Sequence, residues 1–95
     1  MTVYLIQMTG RFETAEDYNT SDDWFVGVCS TLEKAQNKAI SYLKDECAEY
    51  GIEVNDQAIE HSEYDNGQHH RYYYEIERGS IIINCCVSIT AIEMD

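Results

Sequence analysis

The sequence predicts an α+β fold: a single antiparallel four-stranded sheet, in the order ββαββ, with one long helix packed on one face. Three observations lead to this prediction: a β-hairpin pattern at the C-terminus, an amphipathic helix pattern before it, and two strand patterns ahead of the helix. Ninety-five residues are enough for one hydrophobic core and too few for two. We therefore expect residues 1–95 to form a single domain.

The predicted hairpin covers residues 72–92, where β-branched and aromatic residues flank a two-residue Gly-Ser turn at 79–80. Its register is specified because a slip by one residue would mix apolar and charged side chains on each face. Pairing Arg78 with Ile81 makes one face of both strands apolar and leaves the other polar. The apolar pairs expected from this register are Ile76 with Ile83, Tyr74 with Cys85, and Tyr72 with Val87.

Two shorter strands are predicted near the N-terminus, at residues 3–8 and 24–29, and we expect them to pair antiparallel. Residues 13–23 between them carry five carboxylates and are predicted to form a loop. Gly27 indicates that another group packs close to the backbone of the second strand. Alternation places three apolar side chains of that strand on one face: Trp24, Val26 and Val28.

A long helix should follow, since Ser30 and Glu33 have the spacing of a capping box just ahead of the apolar pattern. Gly51 is placed to end this helix in a left-handed conformation. Acids stand in its last turn, where they oppose the helix dipole at a cost of about 0.3–1 kcal/mol each. The residues that recur at spacings of three and four, and should face the sheet, are Leu32, Ala35, Ala39, Leu43, Cys47 and Tyr50.

Residues 52–66 are the least readable segment: Ile52 and Val54 are compatible with the start of a strand, and Asn55 is placed to cap a short helical turn through Ile59. Acidic side chains keep this segment at the surface. Asn66 and Gly67 then form a turn signal that leads into the hairpin strands.

Net charge limits the partners that this chain can bind. It has 6 basic and 18 acidic residues and a formal net charge of -12, which repels nucleic acid and anionic membranes and attracts basic protein surfaces. The first residues form neither a basic segment nor an apolar signal region, and no apolar run reaches the length of a membrane span. We expect a cytoplasmic protein that contacts no membrane and binds no nucleic acid directly.

The acids are unevenly distributed along the chain. Thirteen of the 18 fall in two blocks, residues 13–23 and 45–65, which contain no Lys or Arg. Such blocks either solvate a surface or create a directed negative field that suits a groove built for a phosphate backbone. The sequence leaves both interpretations open.

Four cysteines and three histidines raise the question of a metal site or a thiol catalyst. The cysteines show no C-x-x-C spacing, and neither a phosphate-binding loop nor a nucleophile-elbow motif is present. Adjacent residues of a strand point to opposite faces of the sheet. A common metal site can therefore include at most one of the two histidines at 69–70 and one of the two cysteines at 85–86. We interpret the thiols as core residues and the imidazoles as surface residues, and expect no metal, cofactor or catalytic residue.

Tyr73 lies on the outer, polar face of the predicted hairpin, in the neighbourhood of Cys86, Ile82 and Ile92. This group is either an ordinary, partly exposed sheet face or an interface through which the chain forms a homodimer. In the second case the chain would be a small structural or regulatory domain of phage or bacterial origin.

One segment resembles the strand-to-helix junction of small phage and bacterial proteins, which often read G-V-x-S-T-x-E-K-A there: residues 27–35, Gly-Val-Cys-Ser-Thr-Leu-Glu-Lys-Ala. In size, acidity and lack of enzymatic motifs the chain also resembles phage-borne inhibitors of host defence, among them anti-CRISPR proteins and DNA mimics. That resemblance implies a non-enzymatic inhibitor, acting in the host cytoplasm, that blocks a basic nucleic-acid-binding surface. The residues expected to contact the partner are Glu13, Glu16, Asp17, Asp22, Asp23, Trp24, Asp45, Glu46, Glu49, Glu53, Asp56 and Tyr73.

Overall fold

The computed structural model describes residues 1–14 and 20–94 and shows an α+β fold in which one helix lies across an antiparallel sheet. The five strands lie in the spatial order β2-β1-β5-β4-β3. A 3-10 turn at Asp56–Ala58, capped by Asn55 as predicted, precedes the third strand. The elements in chain order are β1 (Thr2–Glu13), β2 (Thr20–Cys29), α1 (Leu32–Ala48), β3 (Glu60–Tyr64), β4 (His69–Arg78) and β5 (Ile81–Glu93).

The predicted number of strands was wrong by one, because β3 was not recognised. All five of its residues are exposed, and it pairs with β4 alone along one edge of the sheet. A short, charged edge strand is a common way to protect a sheet from unwanted pairing. It lacks the apolar alternation from which strands are predicted.

The hairpin of β4 and β5 has the predicted register, with Arg78 opposite Ile81 and Ile76 opposite Ile83. Beyond the hairpin, β5 pairs along almost its whole length with β1, from Glu93 at one end to Ile82 at the other. The C-terminal strand therefore lies at the centre of the sheet and holds the two halves of the chain together.

The predicted loop at residues 13–23 is shorter than expected. β1 extends to Glu13 and β2 begins at Thr20, so Asp22 and Asp23 belong to a strand. Their pairing partners in β1 are Gly10 and Thr9. Carboxylates are unusual in strands, which is why the sequence pattern favoured a loop here.

A bulge in β2 reverses the predicted alternation. Ile6 pairs with Gly27 whereas Gln7 pairs with Phe25, so Val26 is an extra residue between them. The prediction that Val28 shares a face with Trp24 was therefore wrong, since Val28 points away from the helix and is 50% exposed. The close approach predicted at Gly27 is confirmed: the Nζ atom of Lys38 lies 2.9 Å from the position a Cβ would occupy.

Helix α1 begins one residue later than the capping-box pattern indicated. Thr31, and not Ser30, is the N-cap, and its hydroxyl accepts a hydrogen bond from the backbone N–H of Lys34 at 3.2 Å. At the other end Gly51 has a φ of 76°, as predicted. The N–H of Ile52 donates to the carbonyl of Cys47 at 3.2 Å, which closes the helix.

One core lies between α1 and the sheet face that it covers, which we call the inner face; the opposite one is the outer face. Two small residues, Ala35 and Ala39, let the helix backbone approach the strands closely. Within the described residues, no helix is long and apolar enough to cross a membrane. The buried side chains from the strands are Ile6, Met8, Phe12, Tyr72, Tyr74, Ile83, Cys85, Val87 and Ile89, joined by Leu43 and Cys47 of the helix and by Ile52 and Val54 after it.

Candidate functional site: an acidic end of the molecule

Acids from several parts of the chain meet at one end of the molecule. β1 ends at Glu13 next to the start of β5, so the end of β1 and the β4–β5 turn lie at the same end of the sheet. Helix α1 also runs toward this end, because Tyr50, just beyond it, stacks on Phe12 with ring centroids 5.0 Å apart. We call this region the acidic end. Its described carboxylates are Glu13, Asp45, Glu46, Glu49, Glu53, Asp56, Glu75 and Glu77.

Few cations balance these carboxylates. Among the described residues, the bases of the acidic end are Arg11, Lys44 and Arg78. The Nε of Arg11 donates to Glu13 Oε1 at 2.7 Å, and Lys44 forms an ion pair with Asp56. The remaining exposed carboxylates, those of 45, 49, 53, 75 and 77, have no ion-pair partner among the described residues. Two of the three cations are thus already neutralised locally.

The dipole of helix α1 adds to the negative potential of these carboxylates. The C-terminus of a helix carries a partial negative charge of about half an elementary charge. No basic residue stands in the last turn of α1 to offset it, and Asp45 lies in that turn. Both the helix and the side chains around its end therefore contribute negative potential in the same place.

Among the described residues, the opposite end of the molecule is nearly balanced in charge. Its pairs include the terminal amine of Met1 with Glu93 at 3.7 Å and His69 Nε2 with Asp65 at 3.4 Å. The molecule is 47 Å long, close to the span of about 44 Å expected for a 13-residue strand, so its long axis follows the strands. Charge is thus separated along that axis. The described acids of this end are Glu33, Glu63, Asp65 and Glu93, and its described bases are Lys34, Lys38, Arg71 and the N-terminus.

Two of the residues predicted to bind a partner have partners inside the fold. The indole Nε1 of Trp24 donates to the hydroxyl of Tyr42 at 2.6 Å. Burial and the nearby Glu46 carboxylate raise the pKa of Tyr42. Trp24 packs against the core and Glu46 is half-buried. Both residues therefore serve the packing of α1 on β2.

Tyr73 and Asp23 lie elsewhere, on the middle of the outer face. The Tyr73 hydroxyl donates to Glu75 Oε2 at 2.8 Å, and this bond raises the pKa of Tyr73. Glu16 and Asp17 lie outside the described residues, and Asp22 is described only through its backbone pairing with Gly10. Five described residues of the predicted site lie together at the acidic end and have exposed or part-exposed carboxylates: Glu13, Asp45, Glu49, Glu53 and Asp56.

Sequence reasoning missed Glu75 and Glu77 as members of the acidic end. They fall outside both acidic blocks and stand between Arg71 and Arg78, so local charge gives no signal. The register of the hairpin was sufficient to place them at its turn. Conversely, the second block divides, because its last acids follow β3 back toward the opposite end.

The histidines form a stacked group that was not expected. His61 Nε2 and His70 Nδ1 are 3.0 Å apart, and the ring of Tyr72 stacks on His61 at 4.6 Å. His70 is only 4% exposed, so its interpretation as a surface imidazole was wrong. Its Nε2 atom is buried and has no hydrogen-bond partner in the described part of the chain. Across residues 1–14 and 20–94, no three His, Cys, Asp or Glu side chains are grouped as metal ligands.

Two thiols lie in the core, as the pattern predicted. Cys47 of α1 and Cys85 of β5 are both fully buried. The nearby Cys47 thiol and burial raise the pKa of Cys85 far above its ordinary value. The Cys85 thiol therefore stays protonated, and a protonated thiol is a poor nucleophile.

The chain matches no protein-family model, and no curated protein or solved structure is significantly similar to it.

Proposed function

We propose that this chain is a non-enzymatic binding protein whose acidic end occupies a basic, nucleic-acid-binding surface of another protein and blocks it. The observation that carries the proposal is the convergence of acids that are distant in sequence: Glu13 at the end of β1, the acids around the end of α1 and those beside the β4–β5 turn lie at one end of a 47 Å molecule. A surface that needed only solubility has no requirement for such separation.

Carboxylates that are grouped together act on a binding partner more strongly than the same number of carboxylates spread over the surface. Exposed charges further apart than about 8 Å are largely screened from each other at physiological ionic strength. A partner therefore senses the local group of carboxylates and not the net charge of -12. Carboxylates grouped at one end, with the helix dipole behind them, present a partner with the kind of negative surface that a phosphate backbone presents.

The sequence also favours a particular class of such proteins. Small acidic inhibitors of host defence that phages carry, including anti-CRISPR proteins and DNA mimics, have the same general character, and we extend the proposal to that class. In this role the target would be a nucleic-acid-binding protein or complex of the host, and the acidic end would stand where phosphates normally bind.

The proposal is tested by capture and competition. The chain, immobilised through its N-terminus, which lies at the opposite end, is exposed to a nuclease-treated bacterial lysate. We expect the retained proteins to be basic and to bind nucleic acid, and to be released both by duplex DNA and by raising the salt concentration from about 0.1 M to about 0.5 M. Retention of neutral or acidic proteins, unaffected by salt and by DNA, would contradict the proposal.

A further inference from the structure

The turn between β3 and β4 contains the one Asn-Gly pair of the chain, at residues 66 and 67. Three consecutive residues of this turn have a positive φ: Asp65 and Asn66 at 57° and Gly67 at 82°. Residues with a Cβ rarely occupy this region, because the Cβ comes close to the backbone carbonyl. A backbone hydrogen bond spans the turn, from the N–H of Gln68 to the carbonyl of Asp65 at 3.1 Å.

The side chain of Asn66 is exposed and has no hydrogen-bond partner among the described residues. The residue that follows it, Gly67, has no Cβ, and its N–H makes none of the backbone hydrogen bonds of the described turns. The side-chain carbonyl carbon of Asn66 and the backbone nitrogen of Gly67 are therefore both free to approach each other.

The other described asparagines are held in place. Asn37 lies within α1 and Asn84 within β5, where the hydrogen bonds of the element fix the main chain. Asn55 caps the 3-10 turn, and its Oδ1 accepts a hydrogen bond from the backbone N–H of Gln57 at 3.0 Å. Each of the three is also followed by a residue that has a Cβ. The fold thus singles out Asn66 as the described asparagine whose amide can react with the next backbone nitrogen.

We infer that Asn66 is a site of spontaneous deamidation and that the isoaspartate product releases β3 from β4. In the first step the backbone nitrogen of Gly67 attacks Cγ of Asn66, and the side-chain amide leaves as ammonia with the proton of that nitrogen. The product is a succinimide ring. Water then opens the ring: breaking the bond from the nitrogen to Cγ gives aspartate, and breaking the bond from the nitrogen to the backbone carbonyl carbon gives isoaspartate.

The conformation of the turn assists the first step. The attack requires rotation about the bond from Cα to the carbonyl carbon of Asn66, which an exposed turn permits more readily than a helix or a strand. A φ of 57° is already unfavourable for a residue with a Cβ, so the turn loses little when Asn66 leaves this conformation. Gly67 presents no Cβ that would hinder the approach of its nitrogen.

Isoaspartate lengthens the main chain of this turn by one carbon atom, and β3 is poorly placed to absorb the change. All five residues of β3 are exposed, and the strand lies at the edge of the sheet against β4. His69 fixes the turn, because its Nε2 lies 3.4 Å from a carboxylate oxygen of Asp65 and its ring stacks on Tyr64 with centroids 5.0 Å apart. A longer turn moves Asp65 and Tyr64 away from His69, so the pairing of residues 60–64 with β4 should loosen.

This site is separate from the acidic end. His69, which follows the turn, pairs with Thr90, and Thr90 pairs with Leu5 near the start of β1. The acidic end lies at the other end of β1. Capture of a basic partner can therefore fail while deamidation occurs, and the reverse.

Peptide mapping by mass spectrometry tests the deamidation itself. The purified chain is kept at neutral pH and body temperature and sampled over several weeks, with electron-transfer fragmentation to distinguish isoaspartate from aspartate. We expect both products at Asn66, while the internal controls Asn37, Asn55 and Asn84 stay intact. Gly67→Ala should slow the reaction by about tenfold or more, because a Cβ hinders the attacking nitrogen. An intact Asn66, or faster reaction at any of the three controls, would overturn the inference.

Hydrogen exchange measured by NMR tests the release of β3. In the aged sample the isoaspartate form gives its own amide signals, and those of the β3–β4 pairing should exchange about tenfold faster or more than in the parent, with the amides of β1 and β5 unchanged. The matched control is Asn66→Asp, which adds the same charge without the extra backbone carbon and should exchange as the parent does. Unchanged exchange in the isoaspartate form, or an equal acceleration in Asn66→Asp, would overturn the release.

Discussion

Charge reversal at the acidic end tests whether its carboxylates bind a partner or only solvate the surface. The structure selects Asp45, Glu49 and Glu53 for change to Lys, because all three are exposed and have no ion-pair partner among the described residues. Glu46 is left unchanged, since it is half-buried and its carboxylate lies near the Tyr42 hydroxyl. Each substitution adds two units of charge, so the triple variant carries -6 in place of -12.

The matched control carries the same net charge with the change made at the other end of the molecule. Its substitutions are Glu33→Lys, Glu63→Lys and Glu93→Lys, which all lie at exposed positions. The molecule is 47 Å long and the screening length is about 8 Å at physiological ionic strength, so these changes are barely sensed at the acidic end. The two variants therefore differ in where the field is, and not in how much charge the chain carries.

Three contacts worth about 1 kcal/mol each should cost the acidic-end variant about 3 kcal/mol, which weakens binding of the captured basic partner about 150-fold. The control should weaken it less than about 3-fold. In urea unfolding followed by Trp24 fluorescence, the acidic-end variant should be at least as stable as the parent, by up to about 2 kcal/mol, because Lys in the last turn of a helix suits its dipole. Equal losses of binding in both variants, or no loss in either, would refute the reasoning.

Three further predictions concern the fold that positions the acidic end. Gly51→Ala should lower the free energy of unfolding by about 1 kcal/mol, because a φ of 76° strains any residue with a Cβ although no atom lies near that position; urea unfolding measures it. Ile89→Ala should cost about 2–5 kcal/mol by the same assay, since this side chain is fully buried, whereas Ile92→Ala, which is partly exposed on the same strand, should cost much less. Burial raises the pKa of Tyr42, Tyr72 and Tyr74 above the ordinary value of about 10. The free energy of unfolding should therefore keep its full value below about pH 10 and fall as the pH rises from there through the raised pKa values. Tyr74→Phe should make this fall smaller.

Local sequence patterns predicted the elements whose buried side chains are apolar and regularly spaced, or whose ends carry a characteristic residue. The register of β4 and β5 followed from aligning apolar residues, and the end of α1 followed from Gly51. β3 was missed because an exposed edge strand needs no apolar side chains and is held by backbone pairing with β4. The outward direction of Val28 was missed because one bulge residue shifts the alternation, and a bulge is set by the neighbouring strand.

The acidic end shows the same division between local and long-range information. The blocks at residues 13–23 and 45–65 were visible in the sequence, and the hairpin register placed Glu75 and Glu77 near its turn. Glu13, the acids around the end of α1 and the two glutamates of β4 lie close together because β5 pairs with β1 and because Tyr50 stacks on Phe12. These contacts join residues far apart in the chain, so no local pattern reports them.

The central claim, that negative potential is concentrated at one end, can be measured without any partner. Paramagnetic relaxation of backbone amides by a cationic and an anionic nitroxide of equal size reports the local potential residue by residue. We expect the largest excess of the cationic effect at residues 45–56 and 75–78, and a ratio near one at residues 3–5 and 90–92. A ratio that is uniform over the surface would contradict it, because it would show that the acids only solvate the chain.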